Sequence, residues 1–325
     1  MPEIAQACTD VKRPHTMAAR LTKFVRGRGE RWRHVYVLGR GALNAPGHLA
    51  RWRIARTARP LPQFEVPWSD GYRSFAPGTF PEAEEGAHAA VALLAKTEQA
   101  LQERRKARTS KQFLVNLLAP AEVTADHPLL RLALRPDLLE AVIAYMGTVP
   151  ILRSIQVFYS GVVDREPVAS QLYHCDADDV RQLKIFLLCR EVERANGPLT
   201  MLDASRSERV RQATNYQYND RLTDEAVANV LGPHQPFELV GAPGTSCLVD
   251  TSRCFHFGSR VEPGAAPRLV AMVQYLSPLA FVLPGNARRG AAFAHLAGAQ
   301  HRDIQRAVVT GEHRYLRHGL REATA

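Results

Sequence analysis

The sequence predicts a mainly β fold with flanking helices, and three observations carry that prediction. Residues 154–160, 183–189, 237–240, 246–250 and 268–276 are short runs enriched in β-branched, aromatic or aliphatic side chains, as strands are. Turns at Gly197-Pro198, Pro243-Gly244 and Pro263-Gly264 separate several of them. Helical patterns gather instead before residue 150. Many strands and few helices in the second half suggest a double-stranded β-helix, a jelly-roll barrel of the cupin type, buttressed on one face by the N-terminal helices.

The elements are predicted in order as follows. Residues 1–45 form a basic extension with no clear period before residue 30, expected to be flexible; 31–37 alone fit a short strand, ended by Gly39 and Gly41. Residues 46–325 read as one domain whose barrel core spans about 150–280. From Pro46 to Pro81 there are six prolines, which predicts an irregular wrap over the core. Trp52, Phe64, Trp68, Tyr72 and Phe75 are spaced through that wrap as docking anchors. Residues 84–107 fit a helix, with Val91, Leu94, Glu98 and Leu101 on one stripe and a basic end at Arg104-Arg105-Lys106. A short strand follows at 112–118, closed by Pro120. Two helices begin at Pro128 and Pro136, where a first-turn proline is tolerated. The second carries Leu138, Leu139, Val142, Ile143 and Met146 on one face and Gly147 at its end. Within 206–231 a helix starts at Thr223, Asp224 and Glu225 and stops before Gly232. Tyr216 and Tyr218 in this insert are expected to pack. Residues 291–309 read as helix.

The chain has 325 residues, 46% of them hydrophobic and 23% charged, ordinary values for a soluble globular protein. No apolar run approaches the 18 or so residues of a membrane span, and no apolar leader opens the chain. The five cysteines include no C-x-x-C pair, which predicts reduced thiols and a cytoplasmic setting. The net charge of +10 is concentrated at the start: residues 1–60 hold 13 Lys and Arg against 3 Asp and Glu. Such an arm can bind nucleic acid or an anionic surface, or simply be a solvated extension.

Candidate chemistry centres on Ser170-Gln171-Leu172-Tyr173-His174-Cys175-Asp176. In extended backbone, residues two apart point to the same side, so the imidazole of His174 and the carboxylate of Asp176 can converge. That is two thirds of the 2-His-1-carboxylate face that holds non-haem Fe(II) with open positions. The third ligand would come from a distant strand, and His256 in Phe255-His256-Phe257-Gly258 is the candidate. Alternation turns Cys175 away. A second H-x-D, His301-Arg302-Asp303, lies in predicted helix, where residues two apart do not share a face.

Further blocks follow in order: Leu183-Lys184-Ile185-Phe186-Leu187, Asn196-Gly197-Pro198, Gly244 through Asp250, His256-Phe257-Gly258, and Arg268. Over roughly residues 127–280 this arrangement resembles the phytanoyl-CoA dioxygenase-like family of Fe(II)/2-oxoglutarate oxygenases. The resemblance implies that His174, Asp176 and His256 bind Fe(II), and that Arg268 grips the far carboxylate of the cosubstrate 2-oxoglutarate. Arginine suits that task, being always charged and able to donate two parallel hydrogen bonds. Val270, Met272 and Gln274 would share its face. Lys184 can reach the cosubstrate, the substrate or solvent. Gln171 and Asp250 can orient ligands, although Asp250 equally fits an Asx turn.

The implied reaction uses O2 and 2-oxoglutarate to hydroxylate an unactivated C–H of a small organic molecule; iron carries the chemistry and the protein orients it. Related halogenases have a small residue where Asp176 stands, so the carboxylate speaks against halogenation. Two other readings stand beside this one: a non-catalytic barrel that binds a small molecule, and a nucleic-acid-associated protein using the basic arm. The segments 46–81, 203–235 and 285–321 are the expected variable walls of the substrate site.

Overall fold

The computed structural model describes residues 17–106, 114–162, 166–283 and 291–316. Helices α1 (Met17–Arg26), α2 (Glu30–Leu43) and α3 (Ala45–Ala55) come first. Strand β1 (Tyr72–Phe75), the long helix α4 (Pro81–Lys106) and β2 (Val115–Asn116) follow. Then come α5 (Pro128–Ala133), α6 (Pro136–Met146), β3 (Ile151–Ser160) and β4 (Gln182–Leu188). The second half holds β5 (Leu199–Met201), α7 (Ala204–Thr214), α8 (Asp224–Leu231) and β6 (Phe237–Leu239). It closes with β7 (Ser246–Val249), β8 (His256–Phe257), β9 (Arg268–Leu276) and α9 (Asp303–Thr310).

The strands form two antiparallel sheets. The larger runs β1-β7-β4-β9-β3-β2 and the smaller β6-β5-β8. Mainly antiparallel sheets with helices outside are the expected architecture; among the described residues the strands are assigned to two ladders. Two strands lie outside residues 150–280: β1 adds an edge beside β7, and β2 adds the other beside β3.

Alternation sorts the large sheet into two faces. Leu183, Ile185 and Leu187 of β4 and Leu269, Ala271, Val273 and Tyr275 of β9 join α4, α5, α6 and α9 in the main core. Leu188, Cys247, Val249 and Val270 point the other way and pack with Leu199, Met201 and Leu239 of the small sheet. Arg268, Met272 and Gln274 share the side of Val270, so the face carrying Arg268 looks between the sheets. Because β4 and β9 are covered on both sides, they read as nearly unbroken apolar runs.

Several local expectations hold. Pro128 and Pro136 open their helices, and Gly147 ends α6 with φ +65°. Thr223 caps α8, its hydroxyl accepting from the Ala226 amide at 3.2 Å. Tyr216 and Tyr218 are buried and pack with Phe255. Phe64 and Phe75 are buried anchors, whereas Trp52 and Trp68 are exposed.

Other expectations fail, each for a local reason. Residues 31–37 belong to α2, and Met17–Arg26 is helical although no period was evident before residue 30. Val25 of α1 and Arg33 of α2 are buried while Leu21, Phe24, Trp32, Val35 and Leu38 are exposed, a mixture that hides the usual stripe. The Pro-rich stretch begins in helix, because Pro46 sits in the first turn of α3. Residues 291–302 are turns, one a 3-10 turn at Ala294–Leu296, and α9 starts only at Asp303. The predicted strand at 112–118 is reduced to Val115–Asn116; its start, the side chains of Glu98 and Leu101, and the Arg104-Arg105-Lys106 end lie outside the described residues. Among the described residues, no helix is long and apolar enough to cross a membrane.

The Asn196-Gly197-Pro198 turn is tightly built. Gly197 has φ +65°, and a Cβ there would lie 2.5 Å from the Arg260 nitrogen and 2.7 Å from the Val261 nitrogen. Backbone atoms cannot step aside as a side-chain tip can. Gly197→Ala should therefore destabilise the protein by at least about 2 kcal/mol. Urea unfolding checks this; an unchanged midpoint would mean that residues 258–261 move freely, against the packing described.

Candidate active site

The three residues of the expected metal set meet. His174 lies in extended backbone directly opposite His256 of β8. The His174 amide donates to the His256 carbonyl at 3.1 Å and the His256 amide returns the bond at 3.0 Å. Directly opposed residues in an antiparallel pair place side chains on the same face. The imidazole centroids are accordingly 4.3 Å apart. Asp176, two residues on, is anchored by its amide to the Thr251 carbonyl at 2.7 Å. One of its carboxylate oxygens is 3.9 Å from His174 Nε2 and the other 3.7 Å from His256 Nε2. One donor atom from each residue falls within 4.8 Å of the others, a set that one metal ion can bridge.

The ring tautomers suit that role. His174 Nδ1 is 2.9 Å from the Leu172 carbonyl, and His256 Nδ1 is 3.0 Å from the Cys254 carbonyl. A carbonyl only accepts, so each Nδ1 carries the proton and each Nε2 presents a lone pair toward Asp176. Burial drives the His174 pKa down to about 3, helped by the neighbouring His256. Burial lowers His256 as well. Burial alone would raise Asp176, but the Lys184 ammonium and the two imidazoles outweigh it and hold the carboxyl well below its usual range. Lys184 Nζ is 2.8 Å from Asp176 Oδ2.

Cys175 faces the other way, as alternation requires. It is buried, and its amide donates to the Tyr216 hydroxyl at 3.0 Å. Tyr216 and Tyr218 thus brace the strand and the turn behind the site, Tyr218 donating to the Ser252 carbonyl at 3.0 Å. Asp250 accepts from the Ser252 amide and hydroxyl and from the Tyr145 hydroxyl. It shapes the turn that delivers His256, as the Asx reading describes. Gln171 donates to the Ser259 carbonyl at 2.8 Å and accepts from the Val168 amide at 3.2 Å, tying the approach to His174 against the exit from His256. The second H-x-D does not converge: Asp303 faces Arg306, and His301 Nδ1 accepts from the Gly298 amide.

Arg268 is buried next to this cluster. Its NH2 donates to Ser259 Oγ at 2.8 Å, and among the described residues Nε has no partner and no acid pairs with the guanidinium. Desolvation pulls its pKa down to about 10. A Cβ on Gly258 would come within 3.0 Å of Arg268 NH1, so the glycine two residues after His256 leaves room for the guanidinium. Ser259 was not singled out by the sequence; no motif marks it. Its left-handed backbone, φ +64°, turns its hydroxyl between Arg268 and Ser160, 3.0 Å away.

The inner face of the large sheet continues as a polar row. Gln274 donates to Gln182 Oε1 at 2.7 Å and to Asp178 Oδ2 at 3.1 Å, and Ser154 lies 3.4 Å from Gln274 Oε1. Ser154 and Gln274 share one register level with Lys184. Sequence reasoning named Gln274 only as a neighbour of Arg268 along β9.

No protein-family model matches the chain, and no curated protein does. Among solved structures, the chain is similar to EctD from S. alaskensis with bound Fe, at 20% identity and TM-score 0.44, over 64% of this chain and 73% of that one. It is also similar to the non-heme alpha ketoglutarate dependent epimerase SnoN from nogalamycin biosynthesis, at 16% identity and TM-score 0.40, over 69% and 81%. A third is HygX from Streptomyces hygroscopicus with nickel and 2-oxoglutarate bound, at 15% identity and TM-score 0.42, over 72% and 92%. At such low similarity, the chemistry of this site rests on its own side chains.

The depressed His174 pKa sets a pH dependence. An unfolded histidine titrates near about 6.5, whereas the folded ring stays neutral down to about 3. Between those values the unfolded chain binds a proton that the folded chain does not, so stability is lost as pH falls. The metal-free protein should therefore show a falling unfolding midpoint from about pH 6.5 to about pH 3, and His174→Gln should flatten that slope. Thermal melts at stepped pH test this; an equal slope in the variant would refute the assignment.

Proposed function

We propose that the protein is an Fe(II)- and 2-oxoglutarate-dependent dioxygenase that hydroxylates an unactivated C–H bond of a small organic molecule. The observation that carries this is the convergence of two Nε2 lone pairs on one carboxylate, with a buried arginine that has no acid partner among the described residues. Two imidazoles and one carboxylate on a single face suit ferrous iron with open positions. The resemblance to the phytanoyl-CoA dioxygenase-like family points the same way.

In this reading His174, Asp176 and His256 hold the metal, and Arg268 holds the distal carboxylate of 2-oxoglutarate. When bound, iron with this cosubstrate supplies O2 activation coupled to oxidative decarboxylation, the chemistry that side chains lack. The chain's own residues do the rest. Leu172 and Cys254 carbonyls fix the imidazole tautomers, and Lys184 keeps Asp176 ionised. Arg268 with Ser259 supplies charge-assisted donors for an anion in a site that excludes water. Apolar side chains pack between the sheets, while Ser154, Gln274 and Gln182 offer polar groups on the face of the large sheet that carries Arg268. That face favours a substrate with hydrogen-bonding groups over a purely apolar one.

Anaerobic titration with Fe(II) and 2-oxoglutarate should produce the weak visible charge-transfer band of the chelate. His174→Ala and His256→Ala should abolish it. Arg268→Ala should leave metal binding intact and weaken 2-oxoglutarate by about a hundredfold, since it removes one partner of a buried charge pair. Gly258→Val, which crowds the guanidinium, should act in the same direction. Retention of the band in all of these variants would end the proposal, and metal binding without any response to 2-oxoglutarate would favour a non-catalytic binding barrel.

A further inference from the structure

Helices α1 to α3 turn four of their arginines toward the rest of the fold. Arg33 is fully buried, donating to the Asp179 carbonyl at 2.5 Å and to the Arg26 carbonyl at 2.6 Å while stacking on Tyr218 at 3.6 Å. Arg26 pairs with Asp178 at 2.6 Å, Arg40 donates to the Ala280 carbonyl at 2.8 Å, and Arg51 donates to the Val149 carbonyl at 2.5 Å. Four guanidiniums thus fasten this layer to the rest of the fold.

Val25, Ile54 and Ala55 are buried, but many of the larger apolar side chains face outward. Leu21 and Phe24 of α1 and Trp32, Val35, Leu38 and Leu43 of α2 are between 52% and 86% exposed. Trp32, Val35 and Leu38 recur every three residues, so they lie along one side of α2. Isolated exposed apolar residues need no explanation, but a stripe of this size marks a contact surface. It is bordered by exposed Arg20, Lys23, Arg28, Arg31, Arg53 and Arg56. Across residues 17–56 there are ten Lys and Arg against one acid, Glu30.

We infer that the outer face of α1–α3 docks on the surface of an anionic lipid bilayer. Bulky apolar side chains framed by cations match an interface that offers acyl chains below and negative headgroups around them. A second copy of this chain would set two strongly positive faces against one another. Nucleic acid would satisfy the cations but has no use for Leu38, Val35 and Leu43, since its outer surface is phosphate and sugar. The same helices hold Ala177, Asp178 and Asp179, directly after Asp176, so the docking face and the candidate metal centre belong to one connected layer.

The test is co-sedimentation of the full chain with vesicles of phosphatidylcholine alone or with about 30% phosphatidylglycerol, in low and high salt. The chain should pellet with the anionic vesicles, lose most binding at high salt, and stay in solution with phosphatidylcholine. The pair Trp32→Glu and Leu38→Glu should weaken partitioning about tenfold or more, as should Arg28→Glu with Arg31→Glu. All four side chains are exposed, so unchanged thermal melts show that the variants fold. Val240→Glu, an exposed apolar residue elsewhere, should bind like the parent. The inference is overturned if anionic vesicles fail to pellet the chain, if phosphatidylcholine does so equally, or if the Trp32/Leu38 variant binds undiminished. It is also overturned if light scattering reveals a dimer that this variant disrupts, or if duplex DNA is bound through this face while vesicles are not. Fe(II) and 2-oxoglutarate binding are read separately, so failure here leaves the oxygenase proposal standing.

Discussion

The reciprocal backbone pair between His174 and His256 is the constraint on which the site depends. Two amide hydrogen bonds of 3.0–3.1 Å set residues 82 positions apart directly opposite one another. Everything downstream is a consequence of strand geometry. Opposed residues share a face, so the imidazoles lie side by side, and a two-residue step then brings Asp176 onto them. The ring tautomers need no distant partner, because each Nδ1 finds the carbonyl two residues earlier in its own strand. The same local rule applied twice yields two matched lone pairs.

Such a cluster is electrostatically costly when no metal fills it, and the surroundings are arranged around that cost. Two neutral imidazoles avoid burying positive charge, and the carboxylate that would otherwise be stranded is met by Lys184. Lys184 reaches it because β4 alternates: Leu183 and Ile185 enter the helix-covered core while Lys184 turns between the sheets. A strand that reads as Leu-Lys-Ile-Phe-Leu therefore does two jobs, packing on one face and balancing charge on the other.

Much of this was legible in the sequence because it depends on period-two geometry and on turn chemistry. The strands predicted at 154–160, 183–189 and 268–276 follow from their side-chain composition, and the shared face of Arg268 and Gln274 and the turning away of Cys175 follow from alternation; which way the Arg268 face looks did not. The first-turn prolines and Gly147 announce α5 and α6. The illegible parts have equally physical reasons. Strands β5 and β8 are too short to carry a period, and β1 hides among prolines. Ser259 acts through an unusual φ, and spacing does not encode φ for a serine. Asp250 carried two readings, and only the position of Ser252 decides between them. Helices α1 and α2 defeated periodicity because α2 buries Arg33, which pattern reading assigns to solvent, while both helices leave large apolar side chains exposed.

Arg268 and Arg33 show why a buried arginine is informative. Arg33 is buried among carbonyls and aromatic faces, partners that disperse its charge. Both of its terminal nitrogens donate to carbonyls, and its role is to hold the fold together. Arg268 is also buried, but its guanidinium donates to a serine hydroxyl instead of to carbonyls, and among the described residues no acid pairs with it; its Nε, like that of Arg33, has no partner. Folding around an unmatched cation is unfavourable unless something else recovers the loss, because the desolvation penalty has no Coulomb partner. The glycine at 258 makes the imbalance deliberate in structural terms: a larger residue would fill the space beside the guanidinium, yet the space is kept. A carboxylate brought to that space would restore the balance. In the proposed reading, the arginine's need for an anion and the histidines' need for a cation are complementary, and a metal-chelating oxo-diacid would answer both at once.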